Sequence, residues 1–96
     1  MKSLVVMRVT IKDREKLRAY QEVAPGIISK YSGKILARGG DVKTFEGPAE
    51  NRRIIIIEFP CAEEAQAFYS SAEYQEAINL RNGAAEFEII SVECVA

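Results

Sequence analysis

Ile35-Leu36-Ala37-Arg38-Gly39-Gly40, then Phe45-Glu46-Gly47, then Arg53-Ile54-Ile55-Ile56-Ile57-Glu58-Phe59-Pro60 is the stretch that decides the fold. A run of four isoleucines is too short for a membrane span, and its β-branched side chains favour a strand. The turn signal at Gly47-Pro48-Ala49-Glu50-Asn51 joins residues 34–46 to a strand from Arg52 to Phe59. Counting back from that turn predicts a long antiparallel hairpin. Gly39-Gly40 is then expected to form a bulge within its first arm. Two unpaired residues there place Arg38 opposite Glu58.

Outward from the hairpin the pattern alternates between two periods. Ser3 to Ile11 is a β-branched run without helical spacing, so it is read as the first strand. Asp13 can cap a helix, with Glu15 favoured in its first turn. Leu17, Tyr20, Val23 or Ala24, Ile27 or Ile28, and Tyr31 recur at three- and four-residue steps, which is a helical stripe. Pro25-Gly26 falls inside it and predicts a kink or break, and Ser32-Gly33 ends it. Pro60-Cys61 opens a second helix over Ala62–Ser70. Ser70 to Glu73 has the form of a capping box, so a further helix is expected from Ala72 to Asn82, stopped by Gly83. Phe87 to Val95 is the last strand. The order β-α-β-β-α-β is that of the ferredoxin-like fold, an α+β architecture with a four-stranded antiparallel sheet, in one domain over residues 1–96.

Cover for one face of the sheet is missing from this order, because the two helices can shield only the other. Ile54 and Ile56 point to one side and Ile55 and Ile57 to the other; Leu4/Val6 and Val5/Met7 divide in the same way. Apolar residues on both faces call for burial of both. Two sheets packed face to face in a homodimer satisfy that demand.

Composition narrows the chemistry. The chain has 13 basic and 14 acidic residues, interspersed, so it lacks the footprint of a nucleic-acid binder or a polybasic membrane segment. It opens directly into a strand with no signal-peptide pattern, and a cytoplasmic location is the expectation. There is no histidine, which removes the commonest general base near neutral pH and excludes Ser-His-Asp and Cys-His triads. Cys61 and Cys94 fit neither a disulfide framework nor a zinc site. Glu86 and Glu88 share one strand face and Glu93 takes the other, so no metal site is expected, and no cofactor motif is present.

Tyr31-Ser32-Gly33-Lys34, Leu36-Ala37-Arg38-Gly39-Gly40, Glu46-Gly47, Arg53 to Pro60 and Phe68-Tyr69-Ser70-Ser71-Ala72-Glu73-Tyr74-Gln75 together resemble the DUF-thirteen-thirty family, bacterial proteins of unknown function. The resemblance runs through essentially the whole chain. It implies a ferredoxin-like subunit in a dimeric α+β barrel, within a superfamily that includes small quinone-forming monooxygenases, lactone isomerases and haem enzymes. It brings no established reaction. Ala72 stands where the family usually has proline, and Cys61 where a serine-like cap is usual.

The candidate site residues follow from residue chemistry. Arg38 and Arg53 can hold a carboxylate or enolate through the planar guanidinium fork, or can be structural partners of Glu58 and another acid. Gly39 and Gly40 can admit a ligand close to the backbone or simply bulge. Glu58, at the end of an apolar strand, is a candidate general base. Tyr69 and Tyr74 straddle the junction of the two short helices and can orient a ligand or donate to an oxyanion. Ser71 and Arg81 stand behind these; Arg81 can close the site or favour the helix carboxyl end. Cys61, without a histidine, is a poor nucleophile candidate. Two functions remain: a homodimer binding a small polar or anionic organic ligand, with cofactor-independent monooxygenase- or isomerase-like chemistry as its enzymatic form, or a non-catalytic binding or assembly module whose charges are structural.

Overall fold

The computed structural model describes residues 1–95. The elements are β1 (Ser3–Ile11), α1 (Arg14–Lys30), β2 (Lys34–Arg38), β3 (Arg53–Phe59), α2 (Ala62–Ser70), α3 (Ala72–Leu80) and β4 (Ala85–Glu93). The sheet runs β2-β3-β1-β4 with every pairing antiparallel, which is the ferredoxin-like order. All three helices lie on one side of it. The Cα extents of 36 × 35 × 16 Å describe a flat disc, two layers thick with one sheet face uncovered.

Side-chain alternation divides the sheet as the isoleucine run predicts. Val5, Met7 and Val9 of β1 and Ile57 and Phe59 of β3 are buried beneath the helices, with Leu17, Tyr20, Ala24 and Ile28 of α1 packed on them. Leu4, Val6, Ile54 and Ile56 face the other way and are only half-buried. On the same open face Ile90 and Val92 of β4 are 53% and 54% exposed.

The hairpin departs from the expected one. β2 stops at Arg38, and residues 39–52 form a loop instead of continuing the arm to 46. Gly39 turns the chain out of the sheet at φ +71°, and its N–H makes a last bond to the Ile54 carbonyl at 3.0 Å. Beyond it, Asp41, Lys43 and Glu46 offer no alternating apolar face to hold a strand. The bulge lies at Leu36, between the Ile35–Ile57 and Ala37–Ile56 pairs, and not at Gly39-Gly40. This one-residue slip reverses the faces: Arg38 lies opposite Ile55 on the helix side, whereas Glu58 lies opposite Lys34 and Leu4 on the open side. The expected Arg38–Glu58 juxtaposition is therefore corrected.

The helices also need adjustment. α1 runs unbroken through Pro25. The carbonyl that loses its partner to the proline belongs to Gln21, which is exposed, so water can satisfy it. Asp13 caps α1 by accepting from the Lys16 N–H at 3.1 Å. Gly33 follows because a Cβ there would lie 2.9 Å from the Ile28 carbonyl and 2.8 Å from the Phe59 ring. The cap of α3 is Ser71, one residue later than the expected box: its Oγ accepts from the Tyr74 N–H at 3.1 Å and donates to the Phe68 carbonyl at 2.8 Å. α3 ends at Leu80 with Arg81 as its C-cap, and β4 begins at Ala85, two residues ahead of the expected start.

Candidate functional site

Between α1 and the β2–β3 edge lies a cavity of about 290 Å³. Met7, Ala24, Ile28, Ile35 and Ile55 make an apolar floor, and Tyr20, Gln21, Arg38 and Arg53 are the lining residues with polar side chains. None of its lining residues is acidic. The bulge at Leu36 places Arg38 here, and strand alternation through Ile55 and Ile57 places Arg53 on the same face.

Neither arginine forms an ion pair among the described residues, and the reason is visible next to them. Glu50 binds Arg52, from its Nε at 2.8 Å and from its Nη2 at 2.9 Å, and also meets Arg8 at 3.4 Å. Arg52 reaches Glu88 through Nη1 at 2.7 Å. Glu58 is taken by Lys2 at 3.4 Å. Glu50 and Glu58 are thus paired elsewhere, and the guanidiniums of Arg38 and Arg53 carry no ion pair among the described residues.

The Arg53 guanidinium lies against Gly39 in space that only a glycine leaves open. Its Nη1 occupies space that a side chain at residue 39 would need, 2.5 Å from where a Cβ would sit. A glycine at positive φ therefore serves two purposes: it turns the chain out of the sheet and makes room for the guanidinium.

Tyr20 lines the cavity, and its ring reaches across to Phe87 of β4. It shares a hydrogen bond of 2.5 Å with the Tyr74 hydroxyl, in a cluster where Tyr74 is fully buried and stacks 4.3 Å from Phe68. Burial pushes the Tyr20 hydroxyl well above the usual phenol range, with Tyr74 adding to the rise and Arg81 opposing it. Tyr20 therefore keeps its proton, and either hydroxyl can donate the bond it shares with Tyr74. Arg81 is 9% exposed, lies 3.7 Å over the Phe87 ring and 5.2 Å over Tyr20, and leaves its Nε without a partner.

The sequence-derived candidates do not all meet. Arg38 and Arg53 share the cavity, Gly39 leaves room for Arg53, and Gly39 and Gly40 open onto a neighbouring cleft. Tyr74 and Arg81 stand behind Tyr20 rather than at a mouth. Tyr69, 42% exposed, lines a separate recess with Phe68 and Ile89. Glu58 is on the opposite face, and the Ser71 hydroxyl is consumed by the α2–α3 junction. Cys61 is the N-cap residue of α2 but makes no side-chain cap bond. Tyr20 escaped notice because its place on the buried stripe of α1 marks it as core, and nothing local distinguishes a cavity wall from a core contact.

The Glu50 cluster makes a pH prediction. Hydrogen bonds from Arg52, foremost those of its side chain, hold the Glu50 carboxyl at about 2, below its ordinary 4.5. Between those values the unfolded chain binds the proton first, so this contribution is complete above 4.5 and is lost as pH falls towards 2. Thermal unfolding followed across that window should show a steeper loss in the wild type than in Glu50→Gln. Equal slopes would mean the cluster does not anchor the loop.

No curated protein matches the chain. Among solved structures it is similar to a protein of unknown function from Rhodopseudomonas palustris, at TM-score 0.75 and 18% identity over 99% of this chain and 83% of that one. A dimeric ferredoxin-like protein of unknown function from Jannaschia sp. CCS1 aligns at TM-score 0.68 and 8% identity, over 98% of this chain and 100% of that one. SnoaB, a cofactor-independent oxygenase from Streptomyces nogalater, aligns at TM-score 0.69 and 8% identity, over 99% and 94%. These likenesses establish the fold. A family model described as Domain of unknown function (DUF1330) matches residues 2–95.

Proposed function

The chain belongs to the DUF1330 family, and we propose that it is a homodimeric protein binding a small organic anion, with the anionic group held between Arg38 and Arg53. The observation that carries this reading is a cavity with an apolar floor, two unpaired guanidiniums and no acid in its lining. Such a site recognises a carboxylate or enolate by charge and shape together, while the floor selects an apolar body. In the enzymatic form of this reading the arginines steady an enolate-like oxygen. Tyr20, beside the arginines on the cavity lining, is the hydroxyl in reach to donate a hydrogen bond to it. The cofactor-independent oxygenase among the structural neighbours is in keeping with that form. The homodimer rests on the open apolar sheet face and on the dimeric neighbours.

Calorimetric titration with phenylpropanoate, an apolar body carrying one carboxylate, tests the clamp. Arg38→Ala should weaken binding by about tenfold or more, the value of one charge-assisted hydrogen bond, while the dimer stays folded. Arg38 is suited to this because it is exposed on the edge strand. Arg38→Lys should recover only part of the affinity, since it keeps the charge and loses the fork. Identical binding by wild type and Arg38→Ala would refute the clamp and favour a purely structural or assembly role.

A further inference from the structure

Arg53 belongs to two cavities. On one side is the apolar pocket shared with Arg38; on the other is an open, polar cleft of about 590 Å³ between the start of α1, the end of β1 and both ends of the 39–52 loop. Gly39 and Gly40 form part of the cleft's wall, and a Cβ at Gly40 would meet nothing within 4 Å, so the backbone there is open to a visitor. Within the cleft Glu50 and Arg52 neutralise each other. Arg14 and Asp41 are its exposed charged groups without an ion pair among the described residues.

Building on the anion clamp of the preceding section, we infer that the ligand class is a carboxylic acid carrying two different arms beside its carboxylate, one apolar and one polar but uncharged. The carboxylate sits where the two cavities meet, at Arg53. The apolar arm enters the pocket over Ile28, Ile35 and Ile55, and the polar arm extends into the cleft. The cleft selects the character of that arm. Arg14 and Arg53 disfavour an ammonium, Asp41 disfavours a second carboxylate, and together they match a group that accepts and donates hydrogen bonds, such as an amide or a hydroxyl. An N-acylated or hydroxylated organic acid has this layout.

Three probes resolve the arms: phenylpropanoate has the apolar arm alone, N-acetylglycine the polar arm alone, and N-acetylphenylalanine both. Titrated against the wild-type protein, N-acetylphenylalanine should bind about tenfold tighter than phenylpropanoate, as one added hydrogen bond to a charged group would give. N-acetylglycine should be the weakest of the three. Arg14→Ala should shrink the N-acetylphenylalanine advantage to less than about threefold. Equal affinities for phenylpropanoate and N-acetylphenylalanine, or an advantage untouched by Arg14→Ala, would overturn the two-armed ligand. If phenylpropanoate still binds in an Arg38-dependent way, only this inference falls; if no probe binds, the clamp falls and the two-armed ligand with it.

Discussion

Phe68→Ala should lower the free energy of unfolding by about 3–5 kcal/mol, the usual range for removing a fully enclosed aromatic side chain. Phe68 has no solvent exposure, and its ring lies 5.3 Å from Phe59 of β3 and 4.3 Å from Tyr74 of α3. It therefore joins the sheet to both short helices. α2 and α3 have nine residues each, too few to hold helical structure without tertiary contacts. Phe68 and Ala65 are the buried residues of α2, so the anchor is concentrated in one ring. The cost should come from lost transfer energy and from a cavity that Tyr74 cannot fill while its hydroxyl is tied to Tyr20. Urea unfolding of wild type, Phe68→Leu and Phe68→Ala measures it, with Leu expected between the two. A loss below about 1 kcal/mol would show that the helices close over the gap, contrary to a close-packed core.

Ile56→Asp should convert a dimer into a monomer while each subunit keeps its secondary structure. Ile56 is on the open face of β3, a central strand, paired with Val6 on one side and Ala37 on the other. Leu4, Val6, Ile54, Ile90 and Val92 surround it on that face, an apolar patch of the kind that monomers rarely leave uncovered. In a two-fold arrangement every substitution enters twice. Two unpaired carboxylates in the middle of the interface would cost several kcal/mol, enough to weaken association by more than about a hundredfold. Sedimentation should give twice the 10.7 kDa chain mass for wild type and the single chain mass for the variant. A monomeric wild type at micromolar concentration, or a variant that still dimerises, would refute sheet-to-sheet packing. The Arg38–Arg53 cavity is on the other side of the sheet, under α1, so Ile56→Asp also separates assembly from the proposed binding.

How much of this was legible beforehand depended on the range of the interaction. Helix starts and strand faces follow from neighbours a few residues apart. Asp13 caps α1, and the isoleucine run alternates about the sheet, because capping and pleating are local geometry. The same local cues misled where a distant contact won. Pro25 leaves its helix intact because the bond it forgoes is on the water side. The double glycine suggests a bulge, yet the extra residue is Leu36, since that slip lets Ile35 bury opposite Ile57 and turns Arg38 to the helix side.

The amino-acid sequence by itself determined the order of elements, the division of the sheet into two apolar faces, the absence of histidine chemistry and the short set of arginines and tyrosines able to act. Tertiary structure alone decided which of them meet. Whether an arginine is paired depends on where the neighbouring acids turn, and Glu50, Glu58 and Glu88 turn to Arg8, Arg52 and Lys2. Charge pairing sums over all partners within reach in three dimensions, so only the packed chain reveals that Arg38 and Arg53 remain over one cavity with Tyr20 beside them.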